Sequence, residues 1–461
     1  MPMKRISFPF RRTAALLLLA AMLLSLTGTA FAEDAHQVRP YLLAVYGGKE
    51  AVWVRAYDAS YDNNVYLSLL DLSRALDGTE KQFSFAYGKT QNDGEFHTVQ
   101  IGEPALTQGT GITQEDPSVR EDVWLVFRRN RIFVNGEDRK YYTYREGGYD
   151  LYMSLTDIQL MLDIRAETVG ENAVCFYPGE SFTADYAALA SAGYFDFLNG
   201  YVVGDAATGR ILWAGNAQES VAIASTSKLM TYLLLAEAEE RGEISFDASV
   251  PLSEHAVAVS KSGDGIINFE SGWSVPMREL ICGMLVASSN ESSVALAEYL
   301  CGSEEAFVAR MNQRAQELGL TSAEFVTPNG LPVYAESAIP VKRQNRMSAE
   351  DLFRLTSYVL QHFPEITDIT SQTYATMPSL SYTTANSNPL VFNLPGVTGL
   401  KTGSTVRAGQ CLVASMPVSS GGETHDLVLV LLGAENASER GQMAEILLRC
   451  AKNYVEANGF F

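Results

Sequence analysis

Three short clusters of hydroxyl, amine and amide side chains occur in order along the chain: Ser225-Thr-Ser-Lys228, Ser288-Ser-Asn290 and Lys401-Thr-Gly-Ser404. A serine hydroxyl is a poor nucleophile until a neighbouring base takes its proton. Ser225 and Lys228 are roughly one helical turn apart, so on a helix they share a face. A neutral lysine amine there can act as the base. Burial beside Leu229-Met-Thr-Tyr-Leu-Leu-Leu235 and the charge of Lys401 both predict a lowered Lys228 pKa. Ser288 can relay a proton between Lys228 and a leaving amine. Asn290 can orient Lys228 and bind a substrate amide. Lys401 offers positive charge to a substrate carboxylate, while Thr402 and Ser404 supply hydroxyls. Gly403 permits close approach of a substrate backbone. The N–H groups of Ser225 and Ser404 are the expected oxyanion donors. The predicted chemistry is acyl transfer through Ser225, with Lys228 and Ser288 as the other catalytic residues. Asn290, Lys401, Thr402, Gly403 and Ser404 are the substrate-binding set. Each cluster alone recurs by chance; three in order, 63 and 113 residues apart, carry the signal jointly.

Positioning these groups requires a mixed fold. Ser225 should open a long apolar helix, whose N-terminus also brings N–H groups toward an oxyanion. Ile281-Cys-Gly-Met-Leu-Val-Ala287 reads as a buried helix leading to Ser288. The Lys401 cluster precedes Thr405-Val-Arg-Ala-Gly-Gln-Cys-Leu-Val413 and so belongs on or beside an edge strand. Tyr201 to Trp213 reads as a hairpin with its turn at Ala207-Thr-Gly209. Gln410–Ala414 and Leu427–Leu432 read as closing strands. A last helix carries Met443, Ile446, Leu447 and Cys450 on one face, expected to pack in the core.

The 461 residues predict two to four domains. With 47% hydrophobic residues and 19% charged, the chain can bury a sizeable core. The count of 34 basic against 54 acidic residues gives −20. That balance, with no basic stripe after residue 12, argues against nucleic-acid binding. Lys4, Arg5, Arg11 and Arg12, the apolar run Ala14 to Leu26 and Ala30-Phe-Ala32 together read as an export signal over residues 1–32. Its removal takes four positive charges, leaving the mature chain near −24. The expected location is therefore extracytoplasmic, in the cell envelope or secreted. The five cysteines (175, 282, 301, 411, 450) form no disulfide framework and read as buried free thiols. The five histidines lack metal spacing, so neither metal nor cofactor is expected.

The N-terminal third contains a repeat. Tyr66-Leu-Ser-Leu-Leu-Asp-Leu-Ser-Arg-Ala-Leu-Asp77 aligns with Tyr152-Met-Ser-Leu-Thr-Asp-Ile-Gln-Leu-Met-Leu-Asp163, six of twelve positions being identical at an offset of 86. Ser68 and Ser154 should cap helices, with Asp71 and Asp157 completing capping boxes. Each helix is expected to pack its Leu/Ile stripe on its own strands, among them Tyr41–Tyr46 and Arg131–Val134. Tyr side chains such as those in Tyr141-Tyr-Thr-Tyr144 would be left for glycan or partner contact, or for surface packing. These residues resemble the small repeat of the copper amine oxidase N-terminal-like domain, here without copper ligands. The resemblance implies a structural or binding module over 33–180. Residues 179–196 read as a linker.

Residues 196–461 resemble the low-molecular-mass D-alanyl-D-alanine carboxypeptidases, which are penicillin-binding serine enzymes. The resemblance rests on the three clusters and the text around them. That text includes Ala224-Ser-Thr-Ser-Lys-Leu-Met-Thr231, Leu285-Val-Ala-Ser-Ser-Asn290, Phe325-Val-Thr-Pro-Asn-Gly-Leu331, Met347-Ser-Ala-Glu-Asp-Leu352 and Pro395-Gly-Val-Thr-Gly-Leu-Lys-Thr-Gly403. It implies removal of the terminal D-Ala from peptidoglycan stem peptides through an acyl-enzyme, without metal. It also implies β-lactams as covalent inhibitors and peripheral association with membrane or cell wall. The family often carries its extra domain downstream; here the extra module lies upstream.

The expected fold is α/β (α+β). A penicillin-binding/β-lactamase-like domain over 186–461, an antiparallel sheet flanked by helices with an all-helical part, follows the smaller αβ repeat domain. Three alternatives stand beside the carboxypeptidase: a D,D-endopeptidase, a class A-like β-lactamase using Glu324, and a non-catalytic wall-binding or β-lactam-sensing protein.

Overall fold

The structure is a computed structural model describing residues 38–47, 50–58, 65–90, 94–105, 125–146, 150–180, 182, 186–191, 193–334 and 342–459. The export signal read over residues 1–32 lies outside the described residues. The chain forms two compact units, residues 1–183 and 184–461.

The first unit is built on a ten-stranded sheet. Its strands are β1 (Val38–Val45), β2 (Val52–Asp58), β3 (Val65–Ser68), β4 (Phe83–Thr90), β5 (Gly94–Ile101), β6 (Leu125–Val134), β7 (Glu137–Glu146), β8 (Asp150–Ser154), β9 (Arg165–Thr168) and β10 (Ala173–Tyr177). Helices α1 (Leu69–Ala75) and α2 (Leu155–Leu162) follow β3 and β8. The repeat is therefore three strands, a helix and a hairpin, used twice. The sheet order is 4-5-6-7-8-3-2-1-10-9. The two copies meet where β3 runs antiparallel to β8, with Leu67 opposite Met153. Each closing hairpin leaves its own copy: β5 joins β6 in parallel and β10 joins β1 in parallel. This exchange merges the two expected cores. Leu69, Leu72 and Leu76 share one cluster with Ile158, Met161 and Leu162, so the helices do not pack on their own strands alone.

Local rules set the helix starts. The Ser68 and Ser154 hydroxyls accept from the N–H of Asp71 and Asp157, each at 3.1 Å. The capping box of the first copy is not closed by Asp71. Its carboxylate instead binds the Arg55 guanidinium, and Arg55 also reaches Asp150 at 2.9 Å. Tyr141 and Tyr144 are buried in two different clusters, so they are not the exposed contact residues read from the sequence.

The second unit contains an antiparallel five-stranded sheet of β11 (Gly200–Asp205), β12 (Ile211–Gly215), β13 (Gly399–Thr405), β14 (Gly409–Ser420) and β15 (Glu423–Ala434), in the order 12-11-15-14-13. The hairpin and closing strands form where the sequence placed them. Leu427–Leu432 is buried without alternation, as a strand covered on both faces requires. The helices that bear on the site are α3 (Tyr186–Ser191), α4 (Lys228–Glu240), α5 (Asn290–Cys301), α6 (Glu304–Glu317), α7 (Ala349–His362) and α8 (Ala437–Asn458). Helix α4 is buried on every side from Lys228 to Ala238, the pattern of a helix at the centre of a core. Residues 179–196 are not all linker. Tyr186 stacks on Trp213 at 4.0 Å and shares a hydrogen bond of 3.1 Å with Tyr201. Among the described residues no helix is long and apolar enough to cross a membrane. The cysteines are free, with Cys175, Cys411 and Cys450 buried.

Candidate active site

The nucleophile candidate sits on a turn rather than in the first turn of an α-helix. Residues Ala224–Ser227 form a 3₁₀ turn that runs directly into α4. Ala224 holds φ +47°, a left-handed conformation that costs a non-glycine residue energy and that recurs at functional sites. The turn leaves Ser225 partly accessible while Thr226, Ser227 and Lys228 are buried.

Lys228 is fully buried. Its Nζ lies 2.8 Å from Ser225 Oγ, 2.9 Å from Asn290 Oδ1 and 2.7 Å from the Asn329 carbonyl oxygen. Ser225 Oγ also donates to the Asn329 carbonyl at 3.3 Å. No carboxylate is among these partners. Burial lowers the Lys228 pKa to about 7, against a smaller upward pull from Glu291. The sequence assigned the shift to burial plus Lys401. Burial is the cause that lowers it; Lys401 is not among the groups acting on Lys228, whereas Lys228 does lower Lys401.

Asn290 opens α5, and its Nδ2 donates to the Asp264 carbonyl at 2.8 Å. Ser288 precedes it in a left-handed conformation, φ +66°, at the end of a π-helical turn over Gly283–Ala287. That π turn marks where the chain departs from the plain buried helix read from the sequence. Ser288 is not among the hydrogen-bond partners of Lys228, which are Ser225, Asn290 and Asn329.

Strand β13 is the sheet edge and carries the third cluster. A Cβ on Gly403 would fall 2.9 Å from Ser225 N, so only glycine lets this strand close on the nucleophile turn. Lys401 is fully buried and donates to the Thr402 carbonyl at 2.8 Å. Burial first, then Lys228 and Arg440, push its pKa well down. The Thr402 hydroxyl donates to Ser387 at 2.7 Å. Ser404 Oγ accepts from Gln410 Nε2 at 3.0 Å, and Gln410 Oε1 accepts from Arg440 at 3.0 Å.

The eight residues selected from the sequence thus fall on the nucleophile turn, the segment entering α5 and the edge strand. Sequence reasoning missed Asn329, whose contribution is a backbone carbonyl and so has no side-chain signature. The available signal was the Pro328-Asn-Gly330 turn. Gly330 adopts φ +88°, and a Cβ there would lie 2.2 Å from the Ala224 carbonyl oxygen. Asp264, Ser387 and Gln410 were also missed, the first two entering through contacts 26 and 15 residues apart and Gln410 across the β13–β14 hairpin. Glu324 is half exposed and bonded to Arg343 at 2.8 Å, away from the partners of Lys228.

The antiparallel sheet, the buried central helix and a serine turn in contact with a buried lysine form the frame of a penicillin-binding type of domain. The comparisons give the family. The peptidase S11 profile, D-alanyl-D-alanine carboxypeptidase, matches residues 198–436, just over half of the chain. The chain belongs to this family. It is 33% identical over 258 residues to D-alanyl-D-alanine carboxypeptidase DacF of Bacillus subtilis (strain 168), covering 55% of this chain and 62% of that protein. It is 30% identical over 259 residues to D-alanyl-D-alanine carboxypeptidase DacC of Escherichia coli (strain K12), covering 56% and 61%. The chain thus spans about three fifths of these relatives' length. A crystal structure of a peptidoglycan synthesis regulatory factor (PBP3) from Streptococcus pneumoniae superposes with a TM-score of 0.51 at 28% identity. That match covers 56% of this chain and 73% of the other.

Proposed function

We propose that the protein is a serine D-alanyl-D-alanine carboxypeptidase that removes the terminal D-Ala from peptidoglycan stem peptides and is acylated by β-lactams. The observation that carries this reading is the set of contacts around Lys228. A neutral amine has two hydrogens and one lone pair. In the neutral state the oxygens of Asn290 and Asn329 accept the two hydrogens, and the Ser225 hydroxyl turns its proton from the Asn329 carbonyl to the lysine lone pair 2.8 Å away. With a pKa of about 7, half the lysine is unprotonated at neutral pH, the optimum for a general base.

In this mechanism Lys228 takes the Ser225 proton as Oγ attacks the carbonyl carbon of the penultimate D-Ala. The oxyanion is met by the Ser225 and Ser404 N–H groups, which the glycine at 403 brings together. The C–N bond breaks, and the leaving D-Ala amine receives the proton from Lys228; Ser288, which is not among the hydrogen-bond partners of Lys228 here, is the relay once substrate is bound. Water then hydrolyses the ester: Lys228 takes the water proton as the hydroxide adds, and returns it to Ser225 Oγ as the C–O bond breaks. Lys401, Thr402 and Ser404 bind the terminal carboxylate, and Asn290 uses its remaining N–H for a substrate carbonyl. The groups that hold a β-lactam carboxylate and carbonyl are the same, so the drug acylates the same serine. Glu324, committed to Arg343, is not placed as a deacylating base by any contact to this set, which favours the peptidase over a class A-like β-lactamase.

The family's action on the cell wall, and the export signal read from the sequence of residues 1–32, support extracytoplasmic action. The first unit, with its exchanged repeat and no nucleophile–base pair among its described contacts, is assigned to holding the enzyme in the envelope. The test is direct. A fluorescent penicillin should label the protein and not Ser225→Ala, and mass spectrometry should detect free D-Ala released from a pentapeptide ending in D-Ala-D-Ala. Cleavage of cross-linked muropeptides without D-Ala release would move the protein to the endopeptidases.

A further inference from the structure

Glu291 follows Asn290 on α5 and is fully buried. Its carboxylate accepts from the Ile266 N–H at 3.1 and 3.3 Å and also from the Ile267 N–H. Those amides belong to the loop whose Asp264 carbonyl takes the Nδ2 proton of Asn290. The loop is therefore held twice by adjacent residues of one helix, once by each side chain. Asn290 in turn presents Oδ1 to Lys228. A buried carboxylate is costly unless hydrogen-bonded and matched by charge. Here the Ile266 and Ile267 N–H groups supply the hydrogen bonds, and Lys228 is the basic group that feels the charge.

We propose that Glu291 is a positioning residue for acylation: it clamps the 264–267 loop so that Asp264 fixes Asn290 against Lys228, and it is the buried negative charge facing that lysine. This rests on Lys228 being the acylation base. The charged groups that face Lys228 are Glu291 from α5 and Lys401 from β13, with Arg440 of α8 acting on Lys401 from behind. The turn before α4 and the 329 loop contribute uncharged atoms, Ser225 Oγ and the Asn329 carbonyl. Helix α6 brings Arg314 to α4 only at its far end, paired with Glu237, and Arg310 pairs with Glu243 just beyond. On α7, Glu350 and Asp351 pair with Arg354. The two functions of Glu291 separate by substitution. Glutamine keeps an acceptor for the loop but removes the charge. Aspartate keeps the charge but shortens the reach.

The experiment measures the second-order rate of labelling by a fluorescent penicillin against pH, in the full chain, with thermal unfolding in parallel. In Glu291→Gln, loss of the negative charge should move the acidic limb of the profile to lower pH by about half a unit, a roughly threefold change in proton affinity. In Glu291→Asp the limb should stay in place while the plateau falls about tenfold, through loss of the loop hydrogen bonds. An acidic limb unmoved in a folded Glu291→Gln overturns the electrostatic part. A full plateau in Glu291→Asp overturns the clamp, and that variant decides the matter if the glutamine protein does not fold. A wild-type protein that takes no label, or labelling that survives Ser225→Ala, overturns the acylation reading and this proposal with it. Normal wild-type labelling with unchanged variants overturns the assignment of Glu291 alone.

Discussion

Each unit sets basic side chains beside a helix start, Arg55 partly buried in the first and Lys228 fully buried in the second, and the two treat them in opposite ways. In the first unit Arg55 lies against two carboxylates, Asp71 at 2.8 Å and Asp150 at 2.9 Å, with Ser68 donating to Asp150 at 2.6 Å. The acids push its pKa further up, so the group is a permanent cation inside a closed charge set. In the second unit Lys228 and Lys401 are buried among carbonyl, amide and hydroxyl oxygens. Their pKa values fall, Lys228 to about 7. A neutralised buried cation fixes geometry. An un-neutralised one costs stability and is ready to give up or take a proton, the state that the proposed acylation uses. The pKa of Asp150, raised to about 6 mainly by burial, shows that even the closed set is held at some cost.

The sharpest break in that comparison is to make both basic groups apolar. Lys228→Met should lower penicillin acylation by roughly 10²–10⁴-fold, the range for losing a positioned general base. Its melting temperature should not fall, because no carboxylate within hydrogen-bond distance is left unpaired. Arg55→Met should do the reverse. Two buried acids lose their partner, which costs about 3–5 kcal/mol, read as a shifted denaturation midpoint of the first unit. Acylation should then be unchanged. A destabilised Lys228→Met or a fully stable Arg55→Met would remove the distinction.

Much of the catalytic unit was legible because its residues are local in sequence. Ser225 and Lys228 are one turn apart, and the Lys401 cluster lies within one strand. Side-chain chemistry and spacing were enough to select them. What was not legible entered through space. The Asn329 carbonyl serves the lysine from 101 residues away and carries no side-chain signal. The π turn before Ser288 and the left-handed Ala224 follow from packing against distant segments. In the first unit the repeat predicted two similar halves, but not that they exchange hairpins. That exchange depends on parallel pairings, β5 with β6 and β10 with β1, which hydrophobic alternation does not encode. Tyr141 and Tyr144, whose clustering suggests a surface role, are buried on β7, Tyr144 against Tyr57, Tyr66 and Tyr152 near the junction of the two copies.

A finer test of the comparison uses pH. Acylation needs neutral Lys228, so its rate should rise with pH through an inflection near 7 and level off above it. The stability consequence has a definite sign. The folded lysine has a lower pKa than the unfolded one, so between about 7 and the ordinary lysine range the unfolded chain binds the extra proton. Stability of the second unit therefore rises with pH across that window, and below 7 the cost is present in full. Lys228→Met should flatten this slope in urea titrations collected at several pH values, whereas Arg55→Met should leave it alone. An unchanged slope in Lys228→Met would mean that the lysine is not the group that titrates.

The smallest expected effect is the most informative about the division of labour. A chain beginning at residue 184 should be acylated at a rate within about twofold of the full protein, less than 0.5 kcal/mol of barrier. The second unit closes its own core and its own entry segment. Tyr186 stacks on Trp213, Trp213 meets the ring of Tyr454 on α8 at 5.7 Å, and Tyr186 shares a hydrogen bond with Tyr201. These contacts hold α3 against β11, β12 and the C-terminal helix, so a cut before Tyr186 removes no partner of the nucleophile turn. A cut after Ser191 strips that aromatic stack and should lower the melting temperature while leaving Ser225, Lys228 and Asn290 in contact. Binding to isolated cell walls should fall in both shortened chains if the first unit is the anchor. A folded chain from residue 184 that resists the fluorescent penicillin would show instead that the first unit shapes the site, and the contrast between a structural and a chemical half would be lost.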